Sequence, residues 1–275
     1  MLFARYHTML PVRFAVLMPT HAREALAIRA LESIRAQSYP EWKLVCVNDS
    51  PEIPYGDFER SVAEDKRITY IRNTENEGKN ASLNAALAHL RNSGFKGYII
   101  LLDDDDWLDS DCLEQFARTL SERPYGWLVS DRVLSSGTRL TKNRTGCSEV
   151  SYYREYLITK RFSGDATHCI NSVHALACVF PSSAKNGEEW FFFSQIARAC
   201  PRFTYLPFPG TYSEGYLPGG VTHERASFRS RLGLYARLTR EIGSRNLWNL
   251  ALFVYMALRF GRMCIPKRAS VPVSR

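Results

Sequence analysis

Four consecutive aspartates, Asp103 to Asp106, follow directly on the apolar run Tyr98-Ile99-Ile100-Leu101-Leu102. Like charges repel, and carboxylates gain nothing from the end of a buried strand. A divalent cation would relieve that conflict. Mg2+ and Mn2+ take oxygen ligands and commonly share one or two protein carboxylates with substrate phosphates. The run therefore suggests a metal–diphosphate site, the alternative being a solvated acidic turn before a helix, since aspartate also caps helices. Other groups could join such chemistry. Thr20 and His21 follow an apolar run, Asp49 follows another, Lys79 follows Gly78 near a helix start, and Glu188-Glu189 precede the aromatic run Trp190–Phe193.

These groups need a scaffold, and the hydrophobic periodicity supplies one. Phe14–Met18, Lys43–Val47, Ile68–Ile71 and Tyr98–Leu102 read as strands, the first ended by Pro19. Ala27, Ala30, Leu31 and Ile34 share a helical face, as do Leu83, Ala86, Leu87 and Leu90, and again Leu113, Phe116, Ala117 and Leu120. Strands alternating with helices predict an α/β fold with a mostly parallel sheet covered on both faces. Ligands of such sheets bind beyond the C-terminal strand ends. Pro19-Thr20-His21, Asn48-Asp49 and the aspartate run all fall there. Beyond these elements, Trp127–Ser130 reads as a strand and Ser135–Ser148 as a polar loop. Tyr205–Gly220, rich in Pro, Gly and Tyr, reads as a loop or flap, and Ser227–Arg262 as helical.

The chain of 275 residues is long enough for a full core, and its 45% hydrophobic and 23% charged residues are those of a globular protein. Seven scattered cysteines without a CxxC pair argue against a disulfide framework or a zinc site and favour a reducing compartment. Phe14–Met18 is too short for a signal-peptide core, so a cytoplasmic location is expected. The net charge of +8 is uneven. Residues 225–275 hold eleven arginines and lysines against one acid, Glu241, a net +10 that leaves −2 for residues 1–224. A basic tail suits an anionic partner. Within it, Leu247–Phe260 is apolar except for Asn249 and Arg259. That is shorter than the ~20 residues that span a bilayer. Trp248, Phe253 and Tyr255 beside arginines suit an interfacial helix on anionic lipid at the inner membrane face, with a terminal helix packed on the rest of the chain as the alternative.

Taken in order, the motifs resemble those of inverting glycosyltransferases of family 2, which have the GT-A fold. Val16-Leu17-Met18-Pro19-Thr20 resembles the opening strand. Ser33-Ile34-Arg35-Ala36-Gln37 resembles the "S-I-x-x-Q" helix end. Val47-Asn48-Asp49-Ser50 stands at the usual acid pair, with Asn48 replacing the first acid. Asn76-Glu77-Gly78 with Ala81 and Asn84 resembles "N-x-G-x-x-A-x-x-N", Leu102–Asp106 the D-x-D segment, and Gly187-Glu188-Glu189-Trp190 the acidic pair that carries the catalytic base, with Glu189 where Asp is more usual. The resemblance covers about residues 14–200. It implies a catalytic domain over residues 1–224, with a nucleotide-binding half at about 12–125 and an acceptor half at about 126–224. Residues 225–275 would be a basic, helical C-terminal extension.

The resemblance also implies roles. The reaction would move a sugar from a UDP-, dTDP- or GDP-linked donor to an acceptor hydroxyl. Such a transfer must neutralise the diphosphate leaving group, deprotonate the hydroxyl and align the two substrates. Asp105 is the expected ligand to Mn2+ or Mg2+, with Asp103 acting through metal-bound water and Asp104 through the ribose; Asp106 has no assigned part. Asp49 would accept from the nucleotide base, Pro19, Thr20 and His21 would line the base pocket, and Lys79 would reach a phosphate. Glu189 would be the general base, with Glu188 as the alternative. His223, beyond a Gly/Pro flap, would complete the metal site. A glycan or lipid-linked acceptor in bacterial surface polysaccharide or lipopolysaccharide synthesis follows by family analogy. Two rivals fare worse. A sugar-nucleotide nucleotidyltransferase usually has a Gly-rich loop after its first strand, and here that loop is Pro19-Thr20-His21-Ala22-Arg23. A nucleic-acid-binding protein would need a recognised motif in the tail, which has none, so nucleic acid is not an expected partner.

Overall fold

The structure is a computed structural model that describes residues 11–215 and 228–264, with the side chains of 262–264 left aside. Its first half alternates as predicted: β1 (Phe14–Thr20), α1 (Glu24–Arg35), β2 (Trp42–Asn48), α2 (Gly56–Val62), β3 (Ile68–Arg72), α3 (Lys79–Asn92) and β4 (Tyr98–Leu101). Next come β5 (Asp106–Leu108), α4 (Cys112–Glu122), β6 (Trp127–Leu134), β7 (Lys142–Asn143) and β8 (Glu149–Ser151). A π-helix (Tyr152–Ile158) leads into β9 (Phe162–Ser163), β10 (Ala166–Asn171) and α5 (Ser172–Ala175). The chain then forms α6 (Trp190–Ala199), β11 (Arg202–Ser213), α7 (Phe228–Ser244) and α8 (Leu250–Cys264).

The main sheet runs β3-β2-β1-β4-β10-β6-β11-β5, with β8 on β11. Strands β3, β2, β1 and β4 are parallel neighbours, and β10 enters antiparallel between β4 and β6. Along β1, Ala15 and Leu17 face one core with α3 and α6, while Phe14, Val16 and Met18 face another with α1 and α4. This period-two alternation of wholly apolar residues is what a strand covered on both faces requires. All three predicted helical stripes are buried.

Two sequence expectations are corrected. Pro19 does not end β1; the strand continues to Thr20, which lies opposite Asn48 of β2. Tyr205–Ser213 is not a loop but most of the twelve-residue β11. Its register on β6 shifts between Leu206 and Pro209 and again between Pro209 and Thr211. Bulges of this kind let prolines sit in a paired strand, where an unbroken ladder would need their missing N–H.

The described part of the C-terminal extension packs on the rest of the chain. Leu238, Ile242, Leu247, Leu252 and Met256 join the α3/α6 core, and α8 rests on the π-helix. Its outer surface leaves Trp248, Leu250, Phe253 and Phe260 exposed, Phe253 at 62%. Among the described residues, no helix is long and apolar enough to cross a membrane.

Candidate active site

The strand register brings the polar ends together. Thr20 pairs with Asn48, Asn48 with Arg72, and Leu17 with Leu101, so the residues after β1, β2 and β4 share one sheet edge. The aspartate run turns there: Asp106 N donates to Asp103 O at 3.1 Å, and Asp106 then opens β5, paired with Ser213 of β11.

Basic side chains meet all four carboxylates. Lys79 Nζ lies 2.7 Å from Asp103. Arg23 reaches Asp104 at 2.8 Å and Asp105 at 2.6 Å. Arg132 reaches Asp106 at 2.6 Å. Relief of the like-charge repulsion therefore does not require a metal ion, a correction to the simplest electrostatic expectation. The ion pairs also divide the run. Asp104, expected at a ribose, faces inward at 2% exposure and accepts from Thr20 Oγ1 at 2.8 Å and His21 N at 3.3 Å as well as from Arg23. Burial pushes its carboxyl up to about 6 against the opposing pull of Arg23. It anchors the end of β1.

Asp103, Asp105 and Asp106 each place a carboxylate oxygen within 4.8 Å of the others. Three hard oxygen donors at that separation suit Mg2+ or Mn2+. Asp106, left without a part by the sequence, belongs to this group. Burial opposes ionisation of Asp103, but Lys79 and Arg132 together outweigh it and hold the carboxyl below its ordinary value. Asp106 is pushed up to about 7 by burial, with Arg132 opposing the rise. His223 lies outside the described residues.

Beside this edge is a cavity of about 310 Å3 lined by His21, Ser50, Pro51, Glu52, Ile53, Thr74, Glu75 and Asn76. Pro51 and Ile53 give it apolar surface, and the other lining side chains are polar. The His21 ring is held by Asp49 O at 2.9 Å and Ser50 Oγ at 3.0 Å. Of Pro19, Thr20 and His21, His21 lines this cavity. Pro19 is buried within β1, and Thr20 Oγ1 is taken up by Asp104 and Tyr55. Asp49, expected to touch the base, is buried at 3% exposure and is not among the residues lining the cavity. Its carboxylate accepts from Asn73 Nδ2 at 2.7 Å, Glu77 N at 2.9 Å and Gly78 N at 2.7 Å. It thereby fixes the loop that forms the cavity's far wall.

That loop ends at Gly78, whose φ of +95° favours glycine and where a Cβ would sit 2.6 Å from Lys185 O. The close approach joins α3 to the segment before α6. Lys79 N donates to Asn186 Oδ1 at 2.9 Å, and Asn80 Nδ2 to Ala184 O at 2.8 Å and Gly187 O at 3.0 Å. Glu189 is thus carried over to Lys79, which contacts its carboxylate at 3.3 Å. Burial alone would lower the Lys79 pKa, but Asp103 and Glu189 outweigh it and raise it.

The two glutamates differ sharply. Glu189 is 38% exposed beside Lys79. Glu188 is 13% exposed, and both its oxygens are engaged by Arg259, at 2.5 and 2.7 Å, with Trp190 Nε1 also donating to it. Glu188 is therefore the poorer candidate for accepting a proton from a substrate. Sequence reasoning missed Arg23, Arg132 and Arg259. Each is an isolated arginine far in sequence from its partner, so no local pattern marks it.

Comparisons with known proteins bear on the family and the fold. Residues 15–178 match the family model described as Glycosyl transferase family 2. Over 94 residues the chain is 36% identical to WcaA from Escherichia coli (strain K12), a glycosyl transferase provisionally assigned to colanic acid biosynthesis. That match covers 34% of this chain and 32% of WcaA, so the chain spans about a third of that relative's length. Among solved structures, residues 1–349 of S. aureus TarS with UDP-GlcNAc superpose with a TM-score of 0.65 at 16% identity, covering 82% of this chain and 66% of that one. The mannosyltransferase PcManGT from Pyrobaculum calidifontis, with GDP-Man and Mn2+, superposes at 0.54 and 18% identity, covering 85% and 67%.

Proposed function

The chain belongs to glycosyl transferase family 2, and we propose that it moves a sugar from a nucleoside-diphosphate donor to an acceptor hydroxyl with inversion at the sugar. One observation carries the reading. A single ammonium, that of Lys79, bridges Glu189 and Asp103, at 3.3 and 2.7 Å. An accessible carboxylate is thereby held beside a cluster of metal-binding carboxylates. Inverting transfer needs this pairing: a base for the incoming hydroxyl and charge neutralisation for the departing diphosphate.

The parts follow from position. The cavity at His21, Pro51 and Ile53 holds the nucleotide base, with Asp49 fixing its wall. Asp103, Asp105 and Asp106 would hold Mn2+ or Mg2+, and His223 is a further candidate ligand. When bound, the cation offsets the charge of the leaving diphosphate. Lys79 sits between the two carboxylate groups, where its ammonium is the group offered to a phosphate. Glu189 takes the acceptor proton on its carboxylate as the hydroxyl attacks.

UDP-, dTDP- and GDP-linked sugars are the donors to test, since the two structural neighbours were solved with UDP-GlcNAc and GDP-Man. The named relative in colanic acid biosynthesis supports a glycan or lipid-linked acceptor in surface polysaccharide synthesis. In this reading residues 126–224 form the acceptor half. The exposed Trp248, Leu250, Phe253 and Phe260, in an extension whose sequence is strongly basic, meet the anionic inner face of the membrane, which would place the protein in the cytoplasm. A screen of sugar nucleotides with Mn2+ or Mg2+ tests the reaction. Release of nucleoside diphosphate that stops on chelation is expected; release unaffected by chelation would remove the metal from the account.

A further inference from the structure

The C-terminal helix reaches the candidate base through one residue. Glu188 has φ +62° and follows Gly187 at φ +70°. A non-glycine residue in the left-handed region costs roughly 1–2 kcal/mol, so its surroundings must hold it there. Arg259 of α8 does so with a bidentate, charge-assisted pair at 2.5 and 2.7 Å. Its guanidinium also lies 5.4 Å from the Trp190 ring centre and contacts Tyr255 Oη at 3.2 Å. The helix behind it is firmly seated. Leu252 and Met256 are in the core, and Tyr235 Oη donates to Met256 O at 2.6 Å. Residue 189 follows immediately, and the left-handed turn at 188 directs its carboxylate to Lys79.

We propose that Arg259 is a positioning residue for catalysis: by clamping Glu188 in its left-handed turn, it aims Glu189 at the Lys79–Asp103 edge. This rests on Glu189 being the general base. It gives the C-terminal extension a part in the chemistry, separate from any part in membrane attachment. Without Arg259, the Glu188 carboxylate keeps only the Trp190 N–H among these donors, and the turn can relax. A misplacement of about 1 Å at a catalytic group can cost on the order of 100-fold in rate.

The test compares Arg259→Met, which keeps an apolar stem against Trp190 and Tyr255, with Arg259→Lys, Glu188→Gln and the double variant Glu188→Gln/Arg259→Met. Two readouts are taken on the full chain. Hydrogen exchange needs no substrate: the amides of Phe191 and Phe193, which donate to Glu188 O and Glu189 O at 2.9 and 3.0 Å, should exchange at least about tenfold faster in Arg259→Met, with those of β1 and α3 unchanged. Turnover of UDP-GlcNAc or GDP-mannose with Mn2+ should show kcat lowered about 10–100-fold and the donor KM within twofold. Arg259→Lys should recover part of the loss, and the double variant should be no worse than either single one. Wild-type exchange at Phe191 and Phe193 in Arg259→Met, or additive losses in the double variant, would overturn the inference. If Glu189→Gln abolishes turnover while Arg259→Met retains wild-type kcat, the base assignment stands and the inference falls. If Glu189→Gln turns over normally, both fall.

Discussion

Arg132 lies 2.6 Å from Asp106, whose carboxylate is almost wholly buried at the start of β5. The fourth aspartate of the run is therefore fixed by a residue of β6, across the sheet. Removing one partner of a buried ion pair strands the other charge. At about pH 8.5, where Asp106, pushed up to about 7 by burial, is ionised, Arg132→Met should lower unfolding free energy by roughly 2–4 kcal/mol, the lower part of the range allowing for the arginine's partial exposure, and by less at about pH 6. Denaturant unfolding checks this, and a loss below about 0.5 kcal/mol would mean that Asp106 is neutral or otherwise satisfied.

Asp49 is expected to act on donor binding without touching the donor. Asparagine at this position would turn an N–H2 group toward Glu77 N or Gly78 N, where the carboxylate now accepts. The loop at Thr74–Asn76 should loosen, and Asp49→Asn should weaken UDP binding about tenfold, near 1.4 kcal/mol, while kcat at saturating donor stays within about threefold. Calorimetric titration with UDP and Mn2+ measures the first quantity. A collapse of kcat with unchanged UDP affinity would instead place Asp49 at the reacting groups.

His168 should make the fold acid-sensitive. It accepts from Trp127 Nε1 at 3.1 Å and stacks on Phe193, and burial pushes its pKa down to about 3. The unfolded chain protonates it near 6.5. The native state holds the neutral form, so its contribution is full above 6.5 and is lost as pH falls from there toward 3. The slope approaches 1.4 kcal/mol per pH unit at most. His168→Gln keeps an acceptor for Trp127 and should flatten the acid limb of stability against pH relative to wild type. Parallel curves between pH 6.5 and 4 would show that His168 is not held neutral.

Much of the architecture was legible because its signals are local. The apolar runs at Phe14–Met18 and Tyr98–Leu102 and the stripe Leu83, Ala86, Leu87, Leu90 each declare a burial pattern within one element. Gln37 and Asn84, singled out as motif residues, bind backbone: Gln37 joins the end of α1 to Asp109 O and Leu113 N, and Asn84 brackets Phe180. Motif spacing located such residues without giving their partners. Partners were the illegible part. Arg23, Arg132 and Arg259 meet their acids across 71 to 82 residues or across the sheet, and nothing in a linear pattern announces such meetings. The strand at Arg202–Ser213 was hidden for another reason. Prolines 207 and 209 suggest a loop, and only pairing with β6 and β5 gives the bulged register that accommodates them.

The central claim is that Glu189 removes the acceptor proton beside a cation-binding aspartate cluster. Glu189→Gln keeps the size and hydrogen-bonding reach of the side chain and removes its basicity. In single-turnover experiments with a bound sugar nucleotide and Mn2+, this variant should hold UDP or GDP with wild-type affinity and lose at least about 1000-fold in rate, within the 100- to 10,000-fold span of general base catalysis. Wild-type turnover by Glu189→Gln with intact nucleotide binding would contradict the claim.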